Sequence, residues 1–458
     1  MEISPKVLYK NFINKIIDAE SLIEQLSSLI ENSRNIKIRV LSIQTLGKIE
    51  LNSLIPVKSQ NSLFHLLENL LISDSNEIIR NEAALILIKL FKKRSLAPMK
   101  WALLHDESAI CLETIHQSIM EIINDLKKSN EDESYSTLKS EVLAIEDKDF
   151  KIAIQNMIHR NDSIISKTTL IHILTNYFTL LFLKKVYWRL KYRIKDATLV
   201  ELDFSFKVLS NLPRAIRFLQ SLKKLTLKYN QILKLPEWIG ELSSLEHLNL
   251  NINNIAKLPN SVSMLNQLEE LALWKNELEE LPESIGNLIN LRKLNLRLNQ
   301  LKFLPESLGN LIKLKELDLH DNRLLFLPRS IKYMKSLEVL NLSWNTLKNL
   351  PEEIYDLSSL KILDLGRNEL QTISPSVSRL NSLEILNLSE NKLISLPHTI
   401  GNLSSLKILN LSRNQLKVIP NSIYSLPLLE ELYLVDNQIE EIPSNIQELE
   451  NRGLKIIS

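Results

Sequence analysis

Leucines recur along the second half of the chain in a fixed pattern, L-x-x-L-x-L-x-x-N, as in residues 245–253. The last two leucines alternate with a polar residue, which predicts a short strand with one buried face. Since a single strand of this kind cannot bury its apolar face alone, the repetition predicts stacked coils whose strands pair in parallel. The closing asparagine returns every 23 residues, at Asn230, Asn253, Asn276, Asn299, Asn322, Asn345, Asn368, Asn391, Asn414 and Asn437.

These asparagines are predicted to be structural. A carboxamide both donates and accepts hydrogen bonds, so at a tight turn it can satisfy backbone groups that would otherwise be buried unpaired. Ten stacked coils would then carry a ladder of amides. A degenerate copy precedes them, with Leu199, Leu202 and Phe204 at apolar positions and Lys207 in place of the asparagine. The chain therefore predicts about eleven coils.

The other half of each repeat reads L-P-x-x-I-G-x-L, as in residues 281–288. Proline fixes φ at a value that suits the first position of a helical turn. The segment is too short for a long helix, so we expect single helical or 3₁₀ turns there. Ile285 and Leu288 should face the core.

The combined motif, L-P-x-x-I-G-x-L-x-x-L-x-x-L-x-L-x-x-N-x-L from Leu281 to Leu301, resembles the intracellular leucine-rich-repeat family typified by Ras-suppressor, Ras-scaffold and plant Ras-group-related proteins. The resemblance extends over residues 198 to about 452. It implies an α/β solenoid, a curved horseshoe with a concave parallel β-sheet that binds other proteins. We assign residues 196–458 to this domain, about eleven 23-residue repeats plus a C-terminal cap. The family also suggests an alternative function, regulation of small GTPase signalling.

Residues 1–195 have the apolar spacing of helices. The segment 36–49 aligns with 77–90 at an offset of 41 residues, matching Arg39 with Arg80 and small Ser42 with Ala83. This pattern resembles HEAT repeats, which stack paired helices. Asn76 is a candidate N-cap before the second copy. We therefore predict an all-α HEAT-like helical domain that also caps the repeats.

Two stretches near residue 195 admit other interpretations. The apolar run 168–183 is shorter than the about 20 residues that a spanning helix needs, and it contains His172 and Asn176. We expect a buried helix there. The segment 184–195 mixes six basic residues with three aromatic ones, a composition that can bind RNA or anionic lipid. The interpretation we favour is the last helix of the cap.

Composition narrows the possible functions. A net charge of +2 argues against bulk attraction to nucleic acid, and membrane insertion is disfavoured by the short apolar run. A single cysteine, without the cysteine-bearing caps of secreted repeat proteins, predicts a reducing, cytoplasmic location. The sequence has no phosphate-binding, hydrolase or zinc-protease motif and no metal-ligand spacing. We expect no cofactor, no metal and no catalytic residue.

One enzymatic alternative rests on Cys111. Bacterial leucine-rich-repeat ubiquitin ligases join a helical catalytic domain, with a Cys-x-Asp nucleophile motif, to their repeats. Cys111-Leu112-Glu113 is similar, but its acid differs and the helical domain precedes the repeats. Cys111 also lies in an apolar helix pattern, where cysteine usually packs inertly. The sequence therefore favours a non-catalytic scaffold.

The concave face is the predicted binding surface. In each repeat the x of L-x-L and the two residues before the ladder asparagine should lie on it. Coils two to seven carry large groups there, unlike the small polar residues of later coils, and exposed aromatic and apolar groups indicate an interface. The predicted protein-binding residues are Tyr229, Ile252, Trp274, Arg297, Leu298, His320, Trp344 and Arg367. Cross-strand packing within the sheet is the alternative reason for their size.

Overall fold

The computed structural model describes residues 4–51, 55–129, 132–160, 165–440 and 453–457. The chain divides into two compact units, Met1–Leu199 and Val200–Ser458. The sequence places this division at 195/196.

The first unit is all-helical up to residue 186, as predicted. Its helices are α1 Pro5–Ile13, α2 Ala19–Asn32, α3 Ile36–Leu46, α4 Val57–Ser73, α5 Glu77–Phe91, α6 Leu96–His105, α7 Ala109–Lys128, α8 Asp132–Leu143, α9 Lys148–Arg160 and α10 Lys167–Val186, with a 3₁₀ turn at Lys92–Ser95. Asn76 caps α5, since its side chain accepts from the backbone N–H groups of Ile78 and Ile79.

Helices α2 to α7 form three stacked pairs. Within the pairs α2 packs on α3, α4 on α5 and α6 on α7. Between pairs, α2, α4 and α6 contact in series, and so do α3, α5 and α7. This is the arrangement that the 41-residue alignment predicts, because α3 and α5 are its two aligned copies.

The two aligned arginines form equivalent ion pairs in successive pairs of helices. Arg39 pairs with Asp74, and Arg80 pairs with Asp106 through Nε–Oδ2 and Nη2–Oδ1 contacts of 2.8 and 3.0 Å. Burial alone would raise the pKa of Asp106, but hydrogen bonds from Arg80 and the Ser108 backbone outweigh it and hold the pKa below its usual value. The pairs of helices are thus joined by buried ion pairs as well as by apolar contacts.

Helix α10 is the buried helix that the apolar run predicts. Leu170, Ile173, Phe178 and Leu183 are all buried. Among the described residues, no helix combines the length and apolarity that crossing a bilayer requires. The predicted role of this helix as a cap for the repeats stays a prediction.

The interpretation of 184–195 as one helix is wrong. Helix α10 ends at Val186, Arg189 takes a left-handed conformation with φ of 52°, and strand β1 follows at Lys191–Lys195. Alternate side chains of β1 differ in burial, with Tyr192 and Ile194 half-buried and their neighbours exposed. The alternation of basic and apolar residues is therefore a strand pattern of period two.

A buried histidine should make the helical unit sensitive to acid. His116 in α7 is 1% exposed, stacks on Phe182 and lies 3.1 Å from the Thr179 hydroxyl, and burial lowers its pKa from 6.5 to about 3. Neutral His116 makes its full contribution to the free energy of unfolding above pH 6.5. As the pH falls below 6.5, the unfolded chain binds a proton at this residue and the folded chain does not, so the free energy of unfolding decreases. Between pH 7 and 5 the loss should be about 2 kcal/mol.

Urea unfolding followed by far-UV circular dichroism at pH 7 and 5 measures this loss. His116→Gln, which cannot titrate, should lose about 2 kcal/mol less over the same interval. Partly buried His172, whose pKa burial also lowers, leaves a residual slope in the variant. Equal pH dependence of variant and parent would show that His116 does not carry the effect.

The second unit is a parallel solenoid. Its strands are β2 Thr198–Asp203, β3 Lys224–Thr226, β4 His247–Asn249, β5 Glu270–Ala272, β6 Lys293–Asn295, β7 Glu316–Asp318, β8 Val339–Asn341, β9 Ile362–Asp364, β10 Ile385–Asn387, β11 Ile408–Asn410, β12 Glu431–Tyr433 and β13 Lys455–Ile457. Each strand from β2 to β12 pairs in parallel with the next, and consecutive repeats pair with a shift of 23 residues. The central leucine of each strand from β3 to β12 is buried in the core.

The proline-led segments form five-residue 3₁₀ turns on the other side of each coil. They are Arg214–Phe218, Glu237–Glu241, Asn260–Met264, Glu283–Asn287, Glu306–Asn310, Arg329–Tyr333, Glu352–Asp356, Pro375–Arg379, His398–Asn402 and Asn421–Ser425. Ile285 and Leu288 are buried, as the motif predicts. The short final strand β13 pairs with β12.

The repeated asparagines connect neighbouring coils through the backbone. Asn322 accepts from the Leu301 N–H at 3.1 Å and donates to the carbonyl oxygens of Leu296 and Leu319, both at 3.0 Å. The same partners, 21, 26 and three residues earlier, recur from Asn230 to Asn437. Each amide therefore satisfies three backbone groups that lie inside the solenoid.

Candidate protein-binding face

The predicted binding residues lie two or three residues after the ends of the strands, in two adjacent rows that run across the coils. The residue directly before each ladder position forms what we call the left-handed row. Its members are Phe206, Tyr229, Ile252, Lys275, Leu298, Asp321, Trp344, Arg367, Glu390, Arg413 and Asp436. The residue before each of these forms the adjacent row, which contains Lys228, Asn251, Trp274, Arg297, His320, Ser343, Gly366, Ser389, Ser412 and Val435.

Every member of the left-handed row has a positive φ, between 52° and 60°. This conformation costs an L-residue about 1–2 kcal/mol, and glycine, asparagine and aspartate tolerate it best. Ile252, Leu298 and Trp344 are poor choices for it on backbone grounds. Because the same conformation recurs in every coil, it belongs to the repeat, and the backbone does not explain why large side chains occupy these three positions.

Three predicted residues meet around the indole of Trp344, which is 47% exposed. The Arg367 guanidinium lies 3.8 Å from the Trp344 ring centroid, a cation–π contact, and its Nε is 2.6 Å from Glu390 Oε2. The His320 ring lies 6.0 Å from the Trp344 ring, centroid to centroid. A large flat side chain is thus held in one orientation on the face, which lowers the entropy lost on binding.

The hydrogen bonds of His320 fix its tautomer. The backbone N–H of Ser343 donates to Asn341 Oδ1, and the Ser343 hydroxyl, 2.6 Å from the same oxygen, donates to it too. With its proton committed, Ser343 Oγ accepts from His320 Nδ1 at 2.7 Å. His320 therefore keeps Nε2 as an acceptor, and Ser343 is not activated as a nucleophile.

Burial favours the neutral form of His320. Burial and the nearby Arg297 lower the pKa of His320, against the opposing effect of Asp318 and other carboxylates. Burial raises the pKa of Asp364, although the Gly366 N–H and the Asn387 amide both donate to that carboxylate. The site presents oriented acceptors and an aromatic surface, the chemistry of recognition.

The remaining predicted residues spread along the rows and do not join this cluster. Tyr229 and Arg297 are exposed, whereas Ile252, Leu298 and Trp274 are half-buried. The indole N–H of Trp274 is buried without a hydrogen-bond partner among the described residues. Cross-strand packing therefore accounts for part of the size of these side chains.

Sequence reasoning missed Phe206 and a depression in the sheet. Phe206 is 65% exposed and stacks on Tyr229, with ring centroids 4.4 Å apart and planes 13° apart. The depression, about 340 Å³, lies where Ala272 interrupts a row of asparagines, with Asn249, Asn295 and Lys293 around it. Both could be located in the sequence from its 23-residue period, since Phe206 lies one repeat before Tyr229 and Ala272 lies one repeat after Asn249.

The environment of Cys111 disfavours a nucleophile. Burial raises the pKa of its thiol, and Sγ donates to the Glu77 carbonyl at 3.1 Å. A reactive cysteine needs a stabilised thiolate and access. Among the described residues, no group of three or more His, Cys, Asp and Glu side chains could hold a metal ion.

Comparisons with known proteins agree with this geometry. A leucine rich repeat family model matches residues 266–324, 312–370, 335–393 and 382–439. The structure of the LRR protein LIC12759 from Leptospira interrogans is 39% identical with a TM-score of 0.53, covering 55% of this chain and 64% of its own. The structure of the Arabidopsis receptor kinase HAESA with the peptide hormone IDA and the co-receptor SERK1 gives 29% identity, a TM-score of 0.50, and coverage of 57% and 46%.

These matches define the class. Residues 266–439 match the leucine-rich-repeat family, and the fold is a parallel-sheet leucine-rich-repeat solenoid preceded by an all-helical region. It spans less than two thirds of the length of either matched chain. No curated protein matches the chain. The Ras-suppressor type stays a prediction from the sequence.

Proposed function

We propose that this protein is a non-catalytic, cytoplasmic scaffold that binds a protein partner on the sheet face of its repeats. Trp274, Arg297, His320, Trp344 and Arg367 supply the main contacts. Tryptophan and arginine dominate interface energetics, and anchors held rigid before binding lose less entropy.

One observation carries this proposal: Trp344 is exposed, sits at a strained position and is held by Arg367. Packing within the sheet does not require an indole at this position of the repeat, because Glu390 occupies the equivalent position two coils further on. Regulation of a small GTPase would use the same face and would differ only in the identity of the partner. The cytoplasmic location is proposed from the single, buried Cys111.

Removing the indole should weaken the complex. We expect Trp344→Ala together with Trp274→Ala to weaken binding by more than about 2 kcal/mol, roughly 30-fold in Kd. The partner is first identified by crosslinking to the full chain and mass spectrometry. Its Kd for each variant is then measured by calorimetry.

The matched control is Ser389→Ala with Ser412→Ala, in the same row as Trp274 but where that row carries small side chains, and it should change Kd by less than twofold. Because Trp274 is half-buried, Trp344→Ala is also measured alone, and thermal melting checks every variant. If the serine pair abolished binding and the tryptophan variants did not, the site assignment would be wrong.

A further inference from the structure

The left-handed row has two halves of different character. In the later coils its charges neutralise one another. Arg367 pairs with Glu390 at 2.6 Å, Glu390 with Arg413 at 3.4 Å, and Arg413 with Asp436 at 3.3 Å. This half of the row leaves no charge that requires a partner from outside.

The earlier half begins with five positions of which four are apolar, and we call these four the apolar stripe: Phe206, Tyr229, Ile252 and Leu298, with Lys275 between the last two. Phe206 and Tyr229 stack on each other but remain 65% and 42% exposed. Ile252 and Leu298 are half-buried. Exposed apolar groups that are contiguous across coils mark an interaction surface more often than single ones do.

Three cationic side chains within and beside this stripe have no carboxylate partner among the described residues. None of the described carboxylates forms an ion pair with Lys228, Lys275 or Arg297. At a strand position of a neighbouring coil, by contrast, Lys293 is paired with Glu316 at 2.8 Å. Lys228, Lys275 and Arg297 therefore leave positive charge at the stripe without a carboxylate partner among the described residues.

We propose that the apolar stripe binds an acidic amphipathic helix that lies across the strands. Apolar residues of the helix contact Tyr229, Ile252 and Leu298, and its carboxylates pair with Lys228, Lys275 and Arg297. This inference rests on the proposed protein-binding function and names the chemistry of the partner.

The spacing of the coils favours a helix over an extended segment. Adjacent strands lie about 4.8 Å apart, and a helix advances about 5.4 Å per turn, so successive turns meet successive coils. Same-face side chains of an extended strand recur at about 6.7 Å and lose this match within two coils. The four intervals from Phe206 to Leu298 span about 19 Å, about 13 residues of helix.

Single-stranded nucleic acid is the other occupant that basic and aromatic groups suggest. The stripe favours a helix, because aliphatic Ile252 and Leu298 offer no ring for bases to stack on. Nucleic acid is therefore an outcome of the test.

A peptide selection tests the proposal. A library of random 16-residue peptides is displayed and selected on the immobilised full chain. We expect enriched sequences to be acidic, with apolar residues three or four apart. Synthetic peptides from the selection should bind Lys228→Glu/Lys275→Glu at least tenfold more weakly than the parent. They should also lose affinity for Phe206→Ala/Tyr229→Ala.

The controls make the same changes elsewhere on the repeats. Lys417→Glu changes an exposed lysine, and Phe326→Ala/Tyr333→Ala removes two exposed rings outside the left-handed row. Affinity should stay within twofold in each. Fluorescence anisotropy with a labelled 16-mer of thymidine serves as the nucleic-acid arm, and no binding is expected at micromolar protein.

Several results would overturn the proposal. The selection could enrich basic peptides, peptides whose apolar residues alternate as in a strand, or no peptides at all. The protein could also bind the 16-mer of thymidine tightly. If substitutions of Trp344 and Arg367 weakened peptide binding and substitutions in the stripe did not, this inference would be wrong and the proposed function would remain. Peptides insensitive to every substitution on the sheet face would count against both.

Discussion

An Asn322→Ala variant should unfold with a free energy about 1–3 kcal/mol lower than that of the parent chain. The substitution leaves the Leu301 N–H without a partner inside the solenoid. The carbonyl oxygens of Leu296 and Leu319 each lose one of two amide donors and keep the one from Asn299 or Asn345. An unsatisfied buried polar group costs about 1–3 kcal/mol, and the effects at one site are not fully additive. Equilibrium unfolding in urea measures the difference.

Two comparisons show whether burial is the cause. Lys348→Ala, at an exposed position, should cost less than about 0.5 kcal/mol. Asn437→Ala should cost less than Asn322→Ala, because Asn437 makes the same contacts but is only half-buried. Equal losses for Asn322→Ala and Lys348→Ala would contradict the structural role of the ladder.

An Arg80→Met variant should destabilise the helical unit by about 3–5 kcal/mol, the usual cost of removing one partner of a buried ion pair. The Asp106 side chain, only 3% exposed, would keep its Ser108 contact but lose both bonds to the guanidinium. Methionine preserves most of the volume, so the change isolates the charge. The helical far-UV signal, which comes mainly from the first unit, follows the unfolding.

The matched control is Lys92→Met, which removes one partner of the exposed pair Lys92–Asp125. It should cost far less than Arg80→Met, since exposed ion pairs contribute little. If both variants lost the same stability, burial of Asp106 would not explain the effect of Arg80.

The repeat unit could be predicted almost completely, because one local solution is repeated. The leucine pattern, the proline-led turns and the asparagine spacing each impose a geometric requirement that recurs at every coil. The left-handed row could not be predicted in the same way. Nothing in the residues Ile252 or Trp344 favours a positive φ, which belongs to the turn that recurs in every coil.

The errors have physical causes too. Residues 184–195 contain both a helical spacing of apolar residues and an alternation, and the left-handed Arg189 selects the strand. Phe206 was passed over because Lys207 replaces the asparagine that marks the position. Its backbone nevertheless follows the repeat, and the Asn230 side chain of the next coil accepts from the Lys207 N–H at 3.0 Å.

The alternating charges of Arg367, Glu390, Arg413 and Asp436 bear on how such a solenoid can change its length. Removing one coil from this region would place Arg367 beside Arg413, or Glu390 beside Asp436, about one strand spacing apart. Removing two adjacent coils would restore opposite signs. Duplication or loss of coils here should therefore be tolerated best in steps of two. The backbone of the solenoid would accept any number of coils, but the alternating ion pairs favour changes by an even number.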